Sequence, residues 1–257
     1  MGSEMLKTRL IPALLLKNGR CVKGVQFANW RDTGNPITNA KIYDAQGADE
    51  LLFLDITAAT ENRSILFDLI AETAENCFMP LTVGGGVRTL EDVRKLLQAG
   101  ADKVTVNTAA VQNPEFVTKA ADRFGNQCIV GSIDVREEFG KHEVYTHCGT
   151  QATGGLNPVD WAIKLEKLGV GEIIITSITK EGTRTGYDLP LISSIVNAVN
   201  VPVIASGGVG TLQDLVDGVK IAHASAVSAG TVFHFTDQSV IKARAFMKQA
   251  GLTVRIA

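Results

Sequence analysis

The chain lacks the features that mark several large functional classes. It has four cysteines in 257 residues, Cys21, Cys77, Cys128 and Cys148, and no two share CxxC spacing. That argues against a disulfide scaffold and for reduced thiols in a cytoplasmic protein. The four histidines, His142, His147, His223 and His234, show no metal-ligand spacing, so no metal is expected. Lysine and arginine number 25 against 27 acidic residues, a net of −2. No basic block stands out, and nucleic acid is not an expected partner. No apolar run reaches the roughly 18 residues of a membrane span. The run Leu10–Leu16 is too short for a secretory signal and is broken by Pro12. Met1–Glu4 reads as a start or cloning remnant outside the fold.

Against these absences stands an internal repeat. Gly47–Thr57 lies over Gly169–Thr179, and Pro80–Asp92 over Pro202–Asp214, at one offset of 122 residues. Gly100–Val111 lies over Ala222–Phe233 with fewer identities. A constant offset across three strand-like segments implies two duplicated halves, about residues 5–125 and 126–257, within one domain spanning 1–257. Short runs rich in Val, Ile and Leu alternate with helical patterns, as in strands covered on both faces. Strands are predicted at Thr8–Leu16, Glu50–Ile56, Leu81–Val83, Lys103–Asn107, Gln127–Asp134, Glu172–Ser177, Val203–Ser206 and Ser225–Ala229. Asn35-Pro36 opens a helix near 36–46. Thr89 is the expected N-cap of another, with its repeat mate at Thr211. Eight such units predict a closed (β/α)8 barrel, the TIM-barrel fold, of the α/β class. The rival, an open doubly wound sheet, lacks a GxGxxG after the first strand. Glu137–Thr153 reads as a hairpin-like excursion beside the ligand.

Barrels of this kind place their chemistry at the C-terminal ends of the strands. Four turns fall there: Gly84-Gly85-Gly86, Asn107-Thr108-Ala109, Ser206-Gly207-Gly208 and Gly230-Thr231. Glycine lets the backbone approach an anion and present N–H groups, and a following helix start adds a positive dipole end. The pairs form two phosphate cups related by the repeat, suited to a long ligand with a phosphate at each end. The competing reading is that the glycines relieve crowding in tight turns. Asp55 ends the second strand and Asp134 the fifth. Asp134 is the leading general acid/base candidate, with structural hydrogen bonding as the alternative. Glu181 and Asp188 flank the loop after the sixth strand. Lys23, after the first strand, is either an anion binder or a solvated lysine. At the opposite ends of the strands stand Arg9, Glu50, Lys103 and Glu172. Turned inward, they would close the barrel floor as an alternating ion-pair ring. Left outward, they are ordinary surface charge.

The chain resembles the cyclase subunit of imidazole glycerol phosphate synthase, from histidine biosynthesis, over nearly its whole length, Leu6 to Arg255. The resemblance is carried by Val22-Lys-Gly24, Arg31-Asp-Thr-Gly-Asn-Pro36, Phe53-Leu-Asp-Ile-Thr57, Thr82-Val-Gly-Gly-Gly86 and Gly100-Ala-Asp-Lys103. Further marks are Asn107-Thr-Ala-Ala110, Arg123-Phe-Gly125, Gly186-Tyr-Asp188, Ile204-Ala-Ser-Gly-Gly208 and Val232-Phe-His-Phe235. It implies a ribulosyl aminoimidazole carboxamide bisphosphate substrate and no metal or organic cofactor. Thr176 and Gly182 join the implied ligand-binding set. It also implies a glutaminase partner on the barrel floor, with Asp102 at that interface and ammonia passing the ring of Arg9, Glu50, Lys103 and Glu172. The family uses two opposed aspartates for acid/base chemistry. One matches Asp134. At the other position this chain has Leu15, which transfers no proton. Smaller departures are Glu181 and Thr179 where the family commonly has Asp, and Thr231 for Ser. The Leu14-Leu15-Leu16 run also resembles a branch of the family serving glutamine-dependent amidation of surface sugars, in which the barrel carries ammonia. The expected function is the cyclase-type subunit, impaired at Leu15, with the ammonia conduit as the alternative.

Overall fold

The computed structural model describes residues 7–58 and 66–255, so Met1–Glu4 and Leu6 lie outside the described residues. Twelve strands are found among them. They are β1 Arg9–Lys17, β2 Arg20–Val25, β3 Ala28–Gly34, β4 Leu51–Asp55, β5 Leu81–Gly84 and β6 Lys103–Val106. The rest are β7 Ile129–Glu138, β8 Lys141–Thr146, β9 Gln151–Ala152, β10 Glu172–Ser177, β11 Val203–Ser206 and β12 Ala226–Ala229. Eight pair in parallel, β1-β4-β5-β6-β7-β10-β11-β12, and β12 returns to β1. This is a closed (β/α)8 barrel, with helices between its strands.

Apolar strands carry two jobs because successive side chains point to opposite faces. Leu10, Leu14, Leu16, Leu51, Phe53, Ile173 and Ile175 belong to the core between sheet and helices. Their neighbours Ile11, Ala13, Leu52, Val130, Ile174, Ile204 and Ala226 form a separate apolar cluster in the barrel interior. Residues of the inward-facing set therefore stack in layers from floor to mouth. On β1 the series is Arg9, Ile11, Ala13, Leu15; on β10 it is Glu172, Ile174, Thr176.

Helix starts follow the expected chemistry. Asn35 caps Pro36–Ala45, its Oδ1 accepting from the N–H groups of Ile37 and Thr38 at 3.0 Å each. Thr89 caps Leu90–Gln98 in a capping box: its Oγ1 accepts from Asp92 N–H at 3.1 Å, and Asp92 Oδ2 accepts from Thr89 N–H at 2.9 Å. At the repeat mate, Asp214 Oδ2 accepts from Thr211 N–H at 2.8 Å.

Two features depart from expectation. β7 does not end at Asp134 but runs on to Glu138 and pairs antiparallel with β8, so the excursion is an extension of a barrel strand. A second hairpin, β2–β3, follows β1 and holds Lys23 in a strand. β3 is mostly exposed and lacks an apolar face, which leaves no alternation to read. Its supports are distant in sequence. Gln26 N–H donates to Glu181 O at 2.8 Å, and its side-chain amide donates to Thr179 O at 2.9 Å.

Thr89→Ala removes one side of the capping box. It is expected to lower stability by about 1 kcal/mol, read as a lower urea midpoint at unchanged slope.

Candidate functional site

The ring order fixes the geometry of the mouth. β5 lies opposite β11, and β6 opposite β12. The turns after these strands therefore face each other in pairs: Gly85-Gly86 and Asn107-Thr108 on one side, Ser206-Gly207-Gly208 and Gly230-Thr231 on the other. All of these residues line one cavity of about 570 Å³, with Leu15, Lys23, Asp55, Asp134, Thr176 and Glu181. The volume suits a drug-sized ligand, for which pockets span roughly 300–1,000 Å³. Gly85 has φ +97°, and a Cβ there would meet Asp55 O at 2.0 Å. Its mate Gly207 has φ +91°, and a Cβ would meet Ser177 O at 2.9 Å. Both positions demand glycine for backbone reasons and leave their amide groups at the cavity wall. Short helices, Thr108–Gln112 and Thr231–His234, begin directly at the other two turns.

Two of the expected ligand contacts lie behind the lining. A Cβ at Gly84 would strike Thr105 Cγ2 at 2.2 Å, so Gly84 relieves crowding in the barrel wall. Gly182 has φ +74° and packs on the Gly24 carbonyl, where a Cβ would lie 2.3 Å away. It seats the β2–β3 hairpin. Neither lines the cavity.

Asp134 sits on β7 at the cavity wall and is half-buried. Asn107 Nδ2 donates to its Oδ2 at 2.8 Å. Burial pushes its pKa up to about 7, the Asn107 hydrogen bond opposes this, and the Glu181 charge adds to the rise. A carboxyl poised there can both take and give a proton near neutrality. Asp55 Oδ1 accepts from the N–H groups of Thr57 and Ala58 at 3.1 Å each, which holds the turn after β4. Lys23 is buried, at 4% exposure, and its ammonium is ion-paired with Glu181. The solvated-lysine reading is therefore set aside. Lys23 also approaches the second cup, since a Cβ on Gly230 would lie 3.1 Å from its Nζ.

The floor is a closed cycle of four charges. Arg9 pairs with Glu50 at 2.6 Å and with Glu172 across the barrel, and Lys103 pairs with Glu50 and Glu172 at 2.9 Å each. Thr82 Oγ1 donates to Glu50 at 2.6 Å. Burial alone would raise the Glu50 pKa. The charges of Lys103 and Arg9, with hydrogen bonds from Thr82 and Lys103, outweigh it and hold the group below its usual value. These are inward-facing residues, not surface charge at strand entrances. Asp102, exposed beside Lys103, accepts from Leu81 N–H at 2.8 Å and ties β5 to the segment before β6.

Sequence spacing missed one cluster. The fold brings Glu137, His142 and Asp188 together, with ligand-type atoms within 4.8 Å of one another. Glu137 and His142 are cross-strand partners on β7 and β8. His142 Nε2 lies 3.1 Å from Asp188 Oδ2, while Asp188 Oδ1 caps the helix Leu189–Val196. Asp188 thus anchors the excursion and does not line the cavity. No sequence interval between 142 and 188 signals this contact.

Fold and mouth together define a (β/α)8 barrel with a ligand-sized cavity at the C-terminal ends of its strands, the end where such barrels place their sites. Residues 9–239 match the family model described as histidine biosynthesis protein, and the chain belongs to that family. Its barrel members are usually enzymes. Among the described residues no helix is long and apolar enough to cross a membrane.

Two outcomes follow from the electrostatics. The folded-state pKa of Asp134 lies above its ordinary 3.8, so its contribution to stability falls as pH rises from about 4 to about 7 and then levels. Asp134→Asn should therefore gain stability relative to the parent across that window, measured by urea midpoints at pH 5 and 8. Lys103→Met leaves Glu50 and Glu172 sharing Arg9 alone. It is expected to cost about 3 kcal/mol at neutral pH. The deficit should shrink under acid conditions, as the carboxylates take up protons.

Proposed function

We propose that the chain is a cyclase-type subunit of imidazole glycerol phosphate synthase, with its proton-transfer chemistry weakened at Leu15. The observation that carries this reading is the pair of glycine-lined cups facing each other across a mouth that also holds Asp134. A bisphosphate spanning the mouth would seat one phosphate on Gly85, Gly86, Asn107 and Thr108. The other would rest on Ser206, Gly207, Gly208, Gly230 and Thr231, near Lys23. Backbone N–H groups and helix starts supply the anion binding.

In this reading a glutaminase docks at the N-terminal face, where Asp102 is exposed, and delivers ammonia to the floor. The ring of Arg9, Glu50, Lys103 and Glu172 passes it inward. Above the ring the interior is lined by Ile11, Leu52, Val130, Ile174 and Ile204. An apolar passage favours neutral ammonia over the ammonium ion, because an unpaired charge there bears a large desolvation penalty. The cavity reaches down to Ala13 and Leu52, so the passage opens beneath the ligand. Ammonia adds to the ribulosyl carbonyl carbon, whose oxygen leaves as water. Imidazole closure then releases the aminoimidazole carboxamide ribonucleotide and forms imidazole glycerol phosphate. Asp134 handles protons on one flank. On the opposite flank Leu15 offers no proton carrier, and general acid/base help is typically worth roughly 10²–10⁴ in rate.

One observation favours a second reading, an ammonia conduit for amidation of surface sugars that does not itself cyclise. Leu15 packs with Val22 and Ile56 in a continuous apolar cluster, so the substitution is accommodated by its surroundings.

The decisive measurement supplies purified protein with ammonium salt at alkaline pH and the bisphosphate substrate. Turnover should be slow, and Leu15→Asp should raise it at least tenfold. Binding of the substrate with no turnover in either protein would favour the conduit. Failure to bind it would overturn the cyclase reading. Co-purification with a glutaminase, lost on charge reversal at Lys103, would support the floor assignment; docking and ammonia transfer that survive the reversal would count against it.

A further inference from the structure

The two cups leave two flanks between them, and these differ in kind. In the ring, β1 and β4 separate the second cup from the first on one side, and β7 and β10 separate them on the other. The β7–β10 flank presents Asp134 and Thr176, with Glu181 close by. The β1–β4 flank presents mostly hydrocarbon, with the Asp55 carboxylate at its edge beside Gly85. Leu15, Val22 and Ile56 form their own buried cluster, with Leu54, Trp30 and Cys148 packed against it. Five of these six, all but Val22, line the cavity. The cluster is distinct from the core between sheet and helices, and Leu54 joins it to the apolar cluster of the barrel interior below.

The wall is built from register. Leu15 pairs with Leu54 on β4 and with Val22 on β2. Trp30 is carried across from β3 and packs on Gly24, where a Cβ would meet its Cε3 at 2.8 Å. The Cys148 thiol is kept neutral, its pKa pushed up to about 12 by burial and by the charges of Asp134 and Asp55. An ordered apolar wall facing a ligand cavity selects for ligand surface that loses water readily. A polyhydroxy chain laid against it would leave hydroxyl groups desolvated without partners.

We infer that the mouth takes an anionic ligand whose middle turns an apolar face, an aromatic or deoxygenated ring, to the Leu15–Ile56 wall and its polar edge to Asp134. This rests on the anion cups of the proposed function and adds to it the class of group between the anions. Leu15 is then a specificity-determining residue and not only a lost acid.

The test uses three probes on the full chain: inorganic phosphate, glycerol 3-phosphate and 1-naphthyl phosphate, with affinities from calorimetry and Trp30 fluorescence. 1-Naphthyl phosphate is expected to bind at least tenfold more tightly than glycerol 3-phosphate. Leu15→Asn adds polarity without charge. It should bring that preference down to about threefold or less, with inorganic phosphate affinity held within twofold. Ile56→Thr, on the neighbouring strand, should act in the same direction, and serves if the first variant does not fold. Equal affinity for the two esters in the parent would overturn the inference. So would a preference that survives both substitutions. Binding of 1-naphthyl phosphate without measurable binding of inorganic phosphate or glycerol 3-phosphate would retain the wall and reject the cups. No binding of any probe would reject both.

Discussion

Closing eight parallel strands into a ring forces every second side chain into the interior, and everything else in this protein is arranged around that constraint. Hydrocarbon at the outward positions holds the helices on. The inward positions are free to carry chemistry, but only in layers, because neighbouring strands are locked in register. Leu15 pairs with Leu54, Thr176 with Asp134, and Thr82 with Lys103. A charge placed at a strand entrance must find its partner in the same layer. Arg9, Glu50, Lys103 and Glu172 do so by alternating in sign around and across the floor.

The layers set the local dielectric and with it the chemistry. At the floor each buried carboxylate contacts two cations, and Glu50 stays ionised despite its burial. At the mouth Asp134 has an amide partner and a like charge nearby, and it is lifted toward neutrality. The same residue type would serve structure in the first setting and proton transfer in the second. Between them the apolar middle layer separates charge from charge. Leu15 extends hydrocarbon into the mouth along the β1–β4 side, opposite Asp134, so the site is two-faced.

Much of this was legible before the fold was known. Runs such as Glu172–Ser177 and Val203–Ser206 are apolar at successive positions because both of their faces are covered. The repeat at 122 residues anticipated recurring capping at Thr89 and Thr211 and recurring glycines at 85 and 207. The β2–β3 hairpin was not legible. Its sequence shows no alternation, since β2 is buried from Cys21 to Gly24 and β3 is mostly exposed, and its supports, Glu181 and Thr179, lie more than a hundred residues away. The end of β7 was misplaced for a related reason. Asp134 reads as a strand terminus, yet antiparallel pairing with β8 carries the strand on to Glu138.

By itself the amino-acid order determined the eight barrel strands and the helices between them, the barrel class, and the residue types at the strand ends. Those follow from local patterns: alternation, caps, and glycines where positive φ is required. Tertiary structure decided which of those residues meet. It turned the four entrance charges inward and buried Lys23 against Glu181. It moved Gly84 and Gly182 behind the lining and joined His142 to Asp188. It also set Leu15, Ile56 and Trp30 side by side opposite Asp134. Such meetings depend on register and ring closure, which are properties of the whole sheet, and no single segment of the chain encodes them.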